Sequence, residues 1–277
     1  MAKPGPRSGR PRPERSGADR DRPRARSERP RPERDRARRE SSAESAPGLP
    51  VLYGRNAVHE ALRGPRAVRE VWATEGAARE SWLQSVTVRK ATAEEIERRC
   101  GSPEHQGICA EVEEYRYADV DALLAAPDAL IVALDEIQDP QNLGAICRTA
   151  ECAGATGVVI PERRSAEVTP AVCKASAGAV EHLAIARVRN LADFLLAAKS
   201  ADVWSYGADG DARVGYAQPD YRGKVVLVMG SEGSGLRPRV ARSCDELIAL
   251  PLRGRIGSLN VSAAAAALLY EITRQRA

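Results

Sequence analysis

From Ala129 onward, short apolar runs alternate with segments whose apolar residues recur at helical spacing. ALIVALD, TGVVI, LAIARV, VWSYGA, KVVLVMG and ELIALPL read as strands. The stretches opening at Pro140, Pro170, Leu191 and Leu236 read as helices, and a long helix ends the chain. This alternation predicts an α/β fold with a mostly parallel sheet covered on both faces. A smaller α/β unit precedes it. Ala57, Val58, Ala61 and Leu62 share one helical face, VREVWA and SVTVRKA read as strands, and Ile108, Ala110 and Val112 alternate toward one side of ICAEVEEYRY. YADVDALLAAP predicts a brief helix stopped by Pro127 and a boundary there.

The expected division is a tail over 1–48, a small α/β domain over 49–117, a linker over 118–128 and a large domain over 129–277. Charge separates the first of these from the rest. Residues 1–48 hold 15 Lys and Arg against 8 Asp and Glu, whereas the whole chain is only +4. Residues 49–277 are therefore net acidic, and the basic character belongs to the tail. Met1 is the only large apolar residue before Leu49. Such a Pro/Arg-rich segment cannot bury enough surface to offset chain entropy, so disorder is expected. It is either a plain solvated extension or an electrostatic arm for nucleic-acid phosphates.

Cys100, Cys109, Cys147, Cys152, Cys173 and Cys244 form no CxxC pair and no regular framework. Reduced buried thiols are expected, with no metal site and no disulfide scaffold. No signal-peptide or transit-peptide pattern is present, and the longest apolar run, Val261 to Tyr270, is too short to span a bilayer. The expectation is a soluble cytoplasmic protein with no membrane partner. His59, His105 and His182 have neither triad nor metal spacing.

Three segments carry candidate chemistry. In LDEIQDPQNLGAICRTAECAGATGVVI, Asp139-Pro140 opens a helix, with Leu143, Ile146, Cys147 and Ala150 as its apolar stripe. Arg148 falls nearly opposite that stripe, either as a solvated arginine or as a working one. Asn142 sits at its edge, as a cap residue or a site residue. In VVLVMGSEGSGL, a strand turns sharply into Gly230-Ser231-Glu232-Gly233-Ser234-Gly235, which is neither a P-loop nor a GxGxxG turn. Such glycines let a ligand approach the backbone at the carboxyl end of a strand. In IALPLRGRIGSLNVSAAAAALLYEI, Leu250-Pro251-Leu252 offers an apolar wall suited to an adenine ring, and Ser258 is a candidate N-cap for the last helix.

In order and spacing these segments resemble the three signature motifs of the SpoU (SPOUT-class) RNA ribose 2'-O-methyltransferases. The resemblance implies a trefoil-knotted catalytic domain that uses S-adenosyl-L-methionine and forms a homodimer through the knot. It implies catalytic roles for Asn142, Arg148, Glu232, Ser258 and Asn260. It further implies cofactor binding by Gly230, Ser231, Gly233, Leu250, Leu252 and Leu259, with no metal. YGRNAVHEAL and HQGICAEVEEY resemble the L30e-like RNA-binding domain of the 23S rRNA guanosine 2'-O-methyltransferases. That points to 23S rRNA as partner, at a guanosine of the peptidyl-transferase P loop. The tRNA ribose methylases usually lack this first domain, and the thiopeptide-resistance enzymes share it but modify an adenosine. A non-catalytic ribosome-assembly factor would be expected to have lost motif residues, and none is lost here.

Overall fold

A computed structural model of the chain describes residues 48–277; apart from Gly48, the expected tail lies outside the described residues. The small module runs β1 (Val51–Tyr53), α1 (Arg55–Arg63), β2 (Val68–Ala73), β3 (Val88–Lys90), α2 (Ala93–Cys100) and β4 (Ile108–Val112). Its sheet has the order β1-β4-β2-β3, with β4 antiparallel to both neighbours and β2 parallel to β3. Ile108, Ala110 and Val112 share a core with Ala57, Val58 and Ala61 of α1. Cys109 points the other way, into a cluster with Trp72 and Ile96, so β4 is buried on both sides. Helix α2, which carries Ile96, is not anticipated by the apolar pattern. It is held by a capping box: Thr92 Oγ1 accepts from Glu95 N at 3.3 Å, and Glu95 Oε2 accepts from Thr92 N at 2.8 Å.

The remainder runs α3 (Val120–Ala125), β5 (Leu130–Asp135), α4 (Pro140–Cys152), β6 (Gly157–Pro161), α5 (Pro170–Ala175), β7 (Ala184–Val188) and α6 (Leu191–Ser200). It continues with β8 (Trp204–Ala208), β9 (Val214–Gly215), β10 (Val225–Gly230), α7 (Pro238–Ser243), β11 (Glu246–Ala249) and α8 (Val261–Arg276). The seven strands lie in the order β7-β6-β5-β10-β8-β11-β9, and every pairing is parallel. Alternate residues of one strand feed opposite layers. Val132 and Leu134 pack in the layer of Leu143, Ile146, Leu268 and Leu269, whereas Ile131 and Ala133 pack with Leu191, Leu195 and Val240. Strands buried on both faces explain why β5 and β10 read as unbroken apolar runs.

The segment expected as a linker is part of the second layer. Leu123 and Leu124 are buried there, and Ala118 N donates to Ile185 O at 2.8 Å beside β7. The two modules meet along a seam that also borders a cavity of about 510 Å³, lined by Arg66, Tyr115, Glu181 and Leu183 among others. Arg66 and Glu181 form an ion pair there, their side chains only 7% and 1% exposed. Tyr115 Oη donates to Leu183 O at 3.1 Å, and Val168 N donates to Tyr117 Oη at 3.0 Å. Within the large module, Gly144 lets α4 lie directly on α5: a Cβ there would run into the Ala175 methyl and the Ser176 backbone nitrogen. Among the described residues, no helix is long and apolar enough to cross a membrane.

Candidate active site

β5 and β10 are neighbours although about a hundred residues separate them in sequence, so the loops leaving their carboxyl ends converge. Asp135 ends β5, fully buried. It accepts from Arg237 N at 2.8 Å and from Arg237 Nε at 2.7 Å, which pins the far end of the glycine loop to β5. Hydrogen bonding to Asp135 holds the Arg237 guanidinium even more firmly protonated than usual, against the opposing effect of its burial. The near end of the loop is closed by mutual backbone hydrogen bonds between Ser231 and Gly235. Only glycine fits at 230, since a Cβ would collide with the Gly235 carbonyl and the Leu236 nitrogen.

The pinned loop presents Glu232 to the start of α4 and of α8. Asn142 Nδ2 donates to Glu232 Oε1 at 3.1 Å, and Asn260 Nδ2 donates to the same oxygen at 2.6 Å. Asn260 Nδ2 also reaches Asn142 Oδ1 at 2.9 Å. One residue from each of the three segments therefore joins a single hydrogen-bonded cluster. Asp139, not Asn142, caps α4, accepting from Gln141 N at 2.9 Å. The cap of α8 is likewise Asn260 rather than Ser258: Asn260 Oδ1 accepts from Ser262 N at 2.9 Å and from Ala263 N at 3.3 Å. Asn260 thus spends its oxygen on the helix and its amide nitrogen on the cluster.

Beside the cluster, at the carboxyl ends of β8, β10 and β11, lies a cleft of about 240 Å³. Gly230, Ser231, Gly233, Leu250, Leu252 and Leu259 all line it, and so do Glu232 and Ser258. The sequence reading missed Asp209 and Gly210, which close the β8 side, and Ile248 and Leu268, which extend the apolar wall. The available signal was position: YGADG is the carboxyl end of a strand in a parallel sheet. The lining combines an apolar slot, exposed loop backbone and two carboxylates, Asp209 and Glu232, with no Lys or Arg. That chemistry fits an adenosine carrying a positively charged sulfonium. A second hollow on the other side of Glu232 is lined by Gln138, Asp139, Asn142 and Ser234.

Arg148 does not join the cluster. It is exposed, six residues further along α4 from Asn142, which is about 9 Å of helix rise. It lines a separate hollow on the seam, with Asn56, Gln106 and Lys174. Among the described residues no group of three or more His, Cys, Asp or Glu side chains could hold a metal ion.

A parallel α/β sheet whose carboxyl-end loops build such a cleft defines a class of nucleotide-cofactor enzymes, and comparison with known proteins places the chain within it. Residues 129–270 match the SpoU rRNA Methylase family, and residues 51–118 match the RNA 2'-O ribose methyltransferase substrate-binding family. The chain belongs to the SpoU methylase family. YacO of Bacillus subtilis (strain 168), assigned by name to the TrmH family of tRNA/rRNA methyltransferases, is 39% identical over 237 residues, covering 81% of this chain and 95% of YacO. The 23S rRNA (guanosine-2'-O-)-methyltransferase RlmB of Xylella fastidiosa (strain 9a5c) is 41% identical over 200 residues, covering 70% of this chain and 80% of that protein. An AdoMet-bound rRNA methyltransferase from Sinorhizobium meliloti superposes with a TM-score of 0.69 at 28% identity, covering 81% of this chain and 86% of the other.

Proposed function

We propose that this protein methylates a ribose 2'-hydroxyl of RNA with S-adenosyl-L-methionine as donor, and that its substrate is a guanosine in the peptidyl-transferase P loop of 23S rRNA. The observation that carries the chemistry is the shared oxygen of Glu232, which ties Asn142 and Asn260 together at the lip of the cleft. When bound, the cofactor supplies an electrophilic methyl group on a sulfonium. The chain supplies everything else. Leu250, Leu252 and Leu259 wall off the adenine side, while Gly230, Ser231 and Gly233 offer backbone groups to the polar edge. Two amide donors fix the orientation of the Glu232 carboxylate, leaving Oε2 to receive the acceptor hydroxyl. Holding acceptor and donor in line removes much of the entropy cost of a two-body reaction. Ser258, from the third segment, lines the same cleft and completes the pocket. Arg148 acts on RNA phosphate: its guanidinium stays charged in proteins, so it orients the nucleotide rather than taking a proton.

The small module, matched over 51–118 to a substrate-binding family, supports a ribosomal RNA target, as does the likeness to RlmB. A homodimer is part of this reading. Ala263, Ala267 and Tyr270 lie on the exposed side of α8, away from Ala265, Leu268 and Leu269 in the core, and form a face that a second copy can cover. The trefoil knot belongs to it too: Arg276 at the end of α8 donates to Tyr221 O at 3.1 Å and to Ala129 O at 3.2 Å, so the last helix ends between the start of β5 and the segment leading into β10. The test is a labelled methyl-transfer assay on 23S rRNA and tRNA transcripts side by side, with mapping of ribose-methylation stops. A single stop at the P-loop guanosine is expected. Transfer to tRNA alone overturns the substrate, and no transfer to either RNA or to a ribosomal precursor overturns the activity.

A further inference from the structure

The hollow of about 210 Å³ that contains Arg148 lies where the small module meets α4 and α5. Two cations line it, Arg148 and Lys174, and no carboxylate does. Neither forms an ion pair among the described residues, whereas Arg66 at the seam pairs with Glu181, and Arg55 at the start of α1 pairs with Glu80 of its own module. Lys174 is half-buried. Its ammonium lies against the turn that starts α1, so close that a Cβ on Gly54 would sit 2.7 Å from Nζ. That turn is the positive end of a nine-residue helix with no acidic residue in its first turn and no cap from its own N-cap residue, Gly54. A lysine ammonium placed there is repelled by the helix end. The arrangement becomes favourable once an anion enters and meets both.

The other lining groups suit the same occupant. Gln106 sits in a left-handed turn, φ 55°, and its Oε1 accepts from Arg55 N at 2.9 Å. Its amide oxygen is thereby engaged, which leaves the NH2 group as a donor. The motifs that meet here, YGRNAV and HQG, are the two segments of the small module that the reaction chemistry leaves unused.

We propose that Lys174, together with Arg148 and the Gln106 amide, forms a seat for an RNA backbone phosphate at the seam, so that the substrate is gripped by both modules at once. The seat deepens the RNA-methyltransferase reading and rests on it. Lys174 is a binding and positioning residue, distinct from the Asn142–Glu232–Asn260 cluster. Because α4 carries both Arg148 and Asn142, six residues or about 9 Å of helix rise apart, a phosphate held in the seat is tied to the Asn142–Glu232–Asn260 cluster through one rigid helix.

The experiment titrates two fluorescent RNAs, an unstructured oligouridylate and a transcript of the peptidyl-transferase region of 23S rRNA, onto the full chain at several KCl concentrations. The variants are Lys174→Gln and Lys174→Arg. Losing one phosphate contact should reduce the slope of log affinity against log salt by about 0.7 to 0.9. Lys174→Gln is expected to show that reduction on both RNAs, and Lys174→Arg to restore the slope. Cofactor affinity and melting temperature report whether the fold is intact, and both should stay close to wild-type values, since the helix-end effects on Lys174 at α5 and α1 oppose each other. A slope unchanged by Lys174→Gln overturns the seat, as does failure of the wild type to bind either RNA. A normal slope change on oligouridylate without preference for the ribosomal transcript would uphold the seat and count against the ribosomal substrate instead.

Discussion

Asn260 Nδ2 donates to Asn142 Oδ1 at 2.9 Å across 118 residues of sequence, and both amides converge on Glu232 Oε1. The pair acts as a unit, since each amide helps to fix the carboxylate the other also holds. Replacing Asn142 or Asn260 by Ala should each lower the single-turnover rate of methyl transfer, by about 10²-fold if positioning the proton acceptor is their task. The double variant should lose far less than the product of the two, with a coupling of about 0.5–3 kcal/mol. Asn260→Ala also removes a helix cap, at about 1 kcal/mol of stability, whereas Asn260→Ser keeps the cap and isolates the catalytic loss. Multiplicative effects in the double variant would mean that the hydrogen bond between the amides does nothing for the reaction.

Cofactor binding and methyl transfer should separate cleanly by position. Gly230→Ala forces the glycine loop off Gly235 and Leu236, so it should weaken cofactor binding by at least about tenfold, the equivalent of 1.4 kcal/mol, by calorimetry. Arg148→Ala lies outside the cleft and should abolish transfer to RNA with cofactor affinity nearly unchanged. Equal loss of both in Arg148→Ala would make that arginine a support of the fold.

Arg66 and Glu181 are paired at the seam with almost no exposure, so removing one leaves the other buried and uncompensated. Arg66→Ala should lower the unfolding free energy by about 3–5 kcal/mol in urea titrations, and the apolar pair Arg66→Met with Glu181→Leu should recover most of it. A loss below about 1 kcal/mol would mean that the modules part readily and let water reach Glu181.

Much of this architecture is legible in the sequence because apolar spacing reports burial directly. Leu143, Ile146, Cys147 and Ala150 read as one helical stripe and are all fully buried; β5 and β10 read as unbroken runs because both their faces are covered. What escapes is whatever burial does not encode. Helix α2 buries only Ile96, so its signature is the Thr92–Glu95 capping box, and the two-residue β9 has no period to detect. Leu123 and Leu124 pack into the sheet layer, yet too few apolar residues surround them to distinguish a packed helix from a connection. The cluster at Glu232 depends on β10 lying beside β5, an adjacency that periodicity cannot supply and that only the order of the three segments implied. Lys174 was invisible for a different reason: a lysine in the last turn of a helix is already accounted for by the helix dipole.

Buried thiols contribute to a fall of stability at alkaline pH. Cys147 and Cys173 are fully buried, and burial pushes their thiols up to about 12 and about 11. In the unfolded chain they titrate near about 8.5. Below that pH both states hold the proton and the contribution is complete. Above it the unfolded state binds fewer protons than the folded one, so stability falls as pH rises, until the folded thiols themselves ionise. Each thiol should cost about 1.4 kcal/mol per pH unit across that window. Urea midpoints measured at pH 7.5, 9 and 10 should therefore decline. The variant with Cys147→Ala and Cys173→Ala, though less stable at neutral pH, should decline less steeply. Exposed Cys152 should react with a thiol reagent in the native protein at pH 8 while Cys147 and Cys173 stay protected. Parallel pH curves for the wild type and the double variant would show that these two thiols are already open to water in the folded state, and would remove them from the core that α4 and α5 share.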